Sequence, residues 1–140
     1  MAFTDVILKG EKNGVMYEAI ADAAITPGHL IKRTATGFIK HATATGAGER
    51  LFALVNELEG KNLADDYSAA DTVLAMSCTA GMKIYAWLEV THTAVKGDLL
   101  ESAGDGTLQK GTTNPIAVAD EALDLSASAA VATRIAVVII

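Results

Sequence analysis

Residues 80–110, AGMKIYAWLEVTHTAVKGDLLESAGDGTLQK, decide how the rest of the chain is read. Met82, Ile84, Ala86 and Leu88 alternate with Lys83, Tyr85, Trp87 and Glu89. A period of two marks a strand, because successive side chains on a strand point to opposite faces. Farther on, Leu99–Ser102 runs into Ala103-Gly104-Asp105-Gly106 and returns as Thr107–Lys110. Asp-Gly between two apolar-bearing runs is a hairpin turn: glycine takes positive φ at no steric cost, and aspartate tolerates it.

The same grammar extends in both directions. Phe3–Leu8 and Val15–Ile20 are predicted strands separated by a turn at Asn13-Gly14. After Thr26-Pro27-Gly28, residues His29–Thr34 go out, Ala35-Thr36-Gly37 turns, and Phe38–Ala42 comes back. Leu51–Glu57, Asp71–Thr79, Pro115–Glu121 and Arg134–Ile140 complete the expected strands, with Gly60–Asp71 as a polar crossover. Asp120–Ala132 is rich in alanine, but Asp124, Ser126 and Ser128 are poor helix-interior residues and no period of 3.6 is present. It is expected to be a strand tail and a loop. Many short strands with no long helix predict an all-β fold, an antiparallel β-sandwich of jelly-roll type or a small barrel.

Pro27–Ile31 aligns with Lys96–Leu100, Gly97 lying 69 residues after Gly28. At that spacing Gly37 falls on Gly106 and Ile39 on Leu108, and a related strand follows each copy. Two readings stay open: an internal repeat of 25–59 in 94–123, or two independent glycine-punctuated hairpins. Either way 1–140 is expected to be a single β domain.

Composition excludes several classes. The chain has 140 residues, 51% of them hydrophobic and 20% charged, so a core covering roughly two thirds of the unfolded surface is within reach and disorder is not expected. Net charge is −6, and the basic residues nowhere run longer than Lys32-Arg33. Nucleic-acid binding needs clustered cations to neutralise phosphates, so no direct nucleic-acid partner is expected. No apolar run approaches the ~20 residues that span a bilayer, so no membrane partner is expected. The start, MAFTDVILKG, lacks the basic and apolar regions of a signal peptide, which predicts synthesis in the cytoplasm. A lone Cys78 excludes an intrachain disulfide.

Catalytic patterns are missing as well. His29, His41 and His92 are widely spaced, and a cupin-like metal site would want two of them one residue apart with a downstream glutamate; solvated positions are the expectation. Cys78 alternates with Leu74 and Met76, as a small core hydrophobe would. No phosphate-binding loop, nucleophile elbow or dinucleotide fingerprint occurs. The chain is expected to be no enzyme, with no catalytic residues, no metal and no cofactor.

Two features call for a partner. Tyr85 and Trp87 share a strand face with Lys83 and Glu89, and interfaces enrich such aromatics; the competing reading is that both faces of this strand are core. Val138, Ile139 and Ile140 end the chain as an apolar run, which as a bare edge would invite aggregation. Burial inside the fold and pairing with another subunit both answer that. Tyr85, Trp87, Val138, Ile139 and Ile140 are therefore the interface candidates. A different use of Tyr85 and Trp87, as a stacking platform in a carbohydrate- or ligand-binding β-sandwich, is the alternative.

GMKIYAWLE at 81–89, VKGDLLESAGDGTLQK at 95–110 and PIAVADEALD at 115–124, in that order, resemble the head decoration or cement proteins of tailed double-stranded DNA bacteriophages. ITPGHLIKRTATGFIK and LFALVNELEGK in the first half resemble the N-terminal part of the same family. The likeness covers roughly Ile25–Asp124 and is most specific over Tyr85–Lys110. It implies a β-rich structural protein on the exterior of the virion capsid. There it would bind the major capsid protein of an HK97-type shell and stabilise contacts between shell subunits, as a dimer or a trimer; of the two, a homodimer is the expectation. It carries no catalytic residue to transfer.

Overall fold

In a computed structural model, which describes residues 3–127 and 129–140, the turns divide the described residues into thirteen strands. These are β1 (Ile7–Lys9), β2 (Val15–Ile20), β3 (Leu30–Arg33), β4 (Phe38–Lys40), β5 (Leu51–Ala53), β6 (Thr72–Ser77) and β7 (Lys83–Leu88). There follow β8 (Thr93–Ala94), β9 (Leu99–Ser102), β10 (Leu108–Lys110), β11 (Ala117–Ala119), β12 (Leu123–Asp124) and β13 (Thr133–Ile139). Helical structure among the described residues is limited to two 3-10 turns, Glu11–Asn13 and Glu57–Glu59. The fold is all-β, as the alternation and turn spacing predict, and its organising unit is a small barrel.

The strands form two five-membered rings with one design. In the second ring, hydrogen-bonded neighbours run β7-β13-β11-β9-β10, and β10 closes back on β7 through a parallel pairing of Leu108 with Leu88. In the first they run β2-β6-β5-β3-β4, and a parallel bridge from Phe38 to Ala21, just past β2, draws the two ends together. Register follows the same design. Tyr17 sits opposite Ala75 as Ile84 sits opposite Val137, and Ala53 faces Ala75 as Ala119 faces Val137. The β8–β12 pairing, centred on Ala94, stands where the isolated bridge of Ile25 and Tyr67 stands in the first ring.

Alternation then decides what each ring holds. Ile31, Phe38 and Val73 point into the first ring, and Leu100, Leu108 and Ile135 into the second, all essentially inaccessible. Each such side chain is worth about 1.5–3 kcal/mol in area removed from water. The outer face of β3, β5 and β6 is apolar too: Leu30, Phe52, Leu74 and Met76 join one continuous cluster with the second ring and with Val6. Cys78 lies in that cluster, and burial pushes its thiol up to about 12, so it is a core residue as its alternation with Leu74 and Met76 predicts.

Some details differ from the expectation. The predicted strand at Phe3–Leu8 is shifted to Ile7–Lys9, where Ile7 meets Ile84. β8 and β12 carry no sequence signal, being two residues each. The polar crossover hides Tyr67, 2% exposed, whose hydroxyl donates to the Leu54 carbonyl at 2.7 Å. Past β12 the chain runs as a loop, as expected; Ser128 lies outside the described residues.

Candidate interface surfaces

Trp87 is half-buried, and its partners come from both rings: Arg134 from its own neighbour β13, Pro27 and His29 from the other ring. Its Nε1 donates to the Pro27 carbonyl at 2.9 Å, and the Arg134 guanidinium lies 4.3 Å from the ring centroid. Arg134 donates to the same carbonyl at 3.1 and 3.2 Å and to the Leu63 carbonyl at 2.6 Å. Gly28, at φ 95°, permits this approach: a Cβ there would stand 2.8 Å from the Tyr85 carbonyl oxygen and 3.3 Å from the indole. The ring of His29 lies 5.7 Å from that of Trp87. Thr26 N–H donates to His29 Nδ1 at 3.0 Å, and burial, aided by Lys40, lowers the imidazole to about 4.

A second contact between the rings forms around His41, which is 4% exposed. Its Nδ1 is 2.7 Å from Ser102 Oγ, and Thr45 N–H donates to the Ser102 carbonyl at 2.9 Å. Asn114 Nδ2 donates to the Thr45 carbonyl at 2.6 Å. The expectation of solvated histidines is thus corrected for His29 and His41. Both are built into joints whose partner residues lie some 60 positions away, and no local pattern announces them.

The remaining candidates are placed as follows. Tyr85 is half-buried and meets Phe3 edge-on at 5.1 Å. Ile139 is 1% exposed and belongs to the core. Val138 is half-buried on the outer face, opposite Lys83 and Val118. Ile140 is 41% exposed, and its carbonyl accepts from Arg50 Nε at 3.0 Å. β13 pairs along both edges, with β11 and with β7, so the apolar terminus is absorbed within the fold. Five residues singled out together are therefore dispersed: Trp87 at the joint, Ile139 inside, and Tyr85, Val138 and Ile140 on or near the surface.

The most open apolar surface is elsewhere, on β2. Val15, Met16 and Ile20 are each 50–54% exposed and Tyr17 37%, so half of the exposed large hydrophobics among the described residues lie on one strand. Beside it Met16, Leu54, Leu74 and Met76 line a cleft of about 180 Å³, with Asp5 and Glu11. Val15–Ile20 was recognisable as a strand, but its exposure was not, since the same alternation suits a covered strand.

Titratable groups are engaged locally. Thr107 Oγ1 donates to Asp105 and, at 3.4 Å, to Glu89. The Glu89 carboxyl is raised chiefly by its hydrogen bond to Asp105 and then by burial, so this carboxyl pair braces the Asp-Gly hairpin. Among the described residues no three His, Cys, Asp or Glu side chains gather as a metal cage requires. No helix among them is long and apolar enough to cross a membrane.

What the molecule presents, then, is a double β-ring with two internal joints and an apolar outer strand. No family model and no curated protein matches the chain. Among solved structures, the head fiber gp8.5 N base of bacteriophage phi29 is similar, with a TM-score of 0.59 at 14% sequence identity, covering 91% of this chain and 94% of that chain. The likeness is one of fold over nearly the whole of both chains.

Proposed function

We propose that this chain is a structural protein of a phage head, and more narrowly a capsid decoration or cement protein. It would sit on the exterior of an HK97-type shell, where it binds the major capsid protein and stabilises contacts between shell subunits. The observation that carries the reading is agreement between two independent sources. The motif order over Tyr85–Asp124 resembles phage head decoration proteins, and the fold resembles the base of a phage head fiber across nine tenths of both chains.

The physical design supports it. A reinforcing protein acts through surfaces present in many copies, and modest contacts add through effective concentration once several subunits are bridged. The double ring offers outer apolar surface on β2 and in the adjoining cleft. On this reading the protein is a homodimer with no enzymatic activity and no cofactor. The competing glycan platform is disfavoured, because the Trp87 ring is already stacked by Arg134 and hydrogen-bonded to Pro27.

Co-sedimentation with expanded phage shells lacking their decoration protein tests this. Saturable binding at a fixed ratio to the shell subunit, with a raised melting temperature of the shell, is the expected result. Absence of binding to shells of any related phage overturns the cement role.

A further inference from the structure

Among the described residues the equivalent strands β2 and β7 differ in this respect: β7 has a cover along its outer edge and β2 has none. On the side of β7 away from β13, β1 lies antiparallel, with Ile7 opposite Ile84, and Tyr85 N–H donates to the Val6 carbonyl at 2.8 Å. Glu18 holds in β2 the place that Tyr85 holds in β7. Opposite Glu18 is Leu74, whose N–H faces Tyr67 Oη at 3.4 Å and whose carbonyl accepts from Leu54 N–H at 2.8 Å, both on the far side of β6. Glu18 and Leu74 are therefore a non-hydrogen-bonded pair, and the Glu18 N–H and C=O point away from the sheet. Two residues earlier, Met16 points the same way. Between Val15 and Ala19 no main-chain partner occupies this edge among the described residues.

We propose that the uncovered edge of β2 pairs antiparallel with β2 of a second copy of this chain, with Tyr17 on the two-fold axis. This rests on the homodimer element of the reading above and is independent of the shell. A strand edge is self-complementary only when antiparallel, and a two-fold contact demands self-complementarity. Only even-numbered residues face the partner, so few registers exist. One centred on Glu18 sets two carboxylates directly opposite, which is destabilising. One centred on Met16 leaves Ile20 without a partner. Centring on Tyr17 sets Met16 against Glu18 and Val15 against Ala19, and brings exposed Lys12 of each copy towards exposed Asp22 of the other. The strand that closes the first ring's edge then comes from the second copy, as β1 closes the equivalent edge of β7 from within.

Disulfide trapping tests the register, because the buried Cys78 stays out of reach. On the axis the Cα atoms of a non-hydrogen-bonded pair stand about 4.5 Å apart, within disulfide range. The full-length Y17C variant is expected to form an intermolecular disulfide several-fold faster than L58C, a control at an 80% exposed site. The V15C/A19C double variant should pair crosswise at a similar rate, and it leaves the contact between Tyr17 and Arg33 intact. No excess over L58C at either, or a maximum at E18C, overturns the proposal. Independently, E18P removes a donor that points out of the sheet, so loss of the dimer in sedimentation velocity with the β circular dichroism retained supports it. A folded E18P dimer overturns it. Shell binding by the E18P variant is scored separately: retained binding without dimer trapping in Y17C and V15C/A19C overturns the β2 interface and leaves the shell role standing.

Discussion

Trp87 ties the two rings together through one indole N–H to the Pro27 carbonyl, which the guanidinium of Arg134, stacked on the indole from the same ring, also reaches. Truncating it removes a half-buried aromatic and leaves the Pro27 carbonyl with Arg134 alone. Core Trp→Ala changes cost about 3–5 kcal/mol, and partial exposure places Trp87→Ala nearer 2–3. A lowered urea midpoint at unchanged slope checks this. A variant as stable as the parent would return Trp87 to the role of an outward-facing contact. His29 makes stability depend on pH. Its folded value of about 4 lies below the 6.5 of an exposed imidazole, so the unfolded chain takes up a proton first. Stability is complete above pH 6.5 and falls as pH drops from there through 4, by roughly 3 kcal/mol at full protonation. In melting curves the drop across that window should flatten in His29→Asn. Neither role was legible locally, because Trp87 meets Pro27 and His29 only when two distant stretches are brought together.

At the scale of elements, turn chemistry was the legible layer. The Asp-Gly and Asn-Gly signals and the period of two locate β2, β7, β9 and β10 closely. What alternation cannot state is which strand covers which, and so β1 reads as one more short strand. In the fold it covers the edge of β7, and Val6, just before it, is fully buried. Deleting residues 3–9 is expected to lower the melting temperature and to produce concentration-dependent association through the exposed β7 edge, read by light scattering. A truncated protein that stays as stable and as dispersed as the parent would show β1 to be dispensable. The apolar C-terminal strand illustrates the other side: its composition stood out, yet two flanking strands satisfy it.

Over the whole molecule the two rings share their pairing design while their loops differ. β3 and β9 match at a spacing of 69 residues, β4 and β10 at 70, β5 and β11 at 66, and the facing residues of β6 and β13 at 62. An alignment at constant spacing therefore loses the correspondence from the hairpin turn onward: Leu108 is the counterpart of Phe38, not of Ile39, and Thr107 of Gly37, because the second turn is one residue longer. The apolar cluster continues from the outer face of the first ring into the second, and two polar joints span the seam. Unfolding is accordingly expected as one cooperative transition. Slow amide exchange should give the same opening free energy at Val73 and Ile135, one in each ring. A first ring that opens at clearly lower free energy would show the seam to be weak.

The seam has an optical consequence. The chain holds a single tryptophan, and it stands where the rings meet, against a carbonyl, a guanidinium and an imidazole. Its emission therefore reports one event, the parting of the rings, without any label. A red shift on mounting the protein on a surface would mean that docking pries the seam open, and a constant spectrum that the double ring docks as a rigid body.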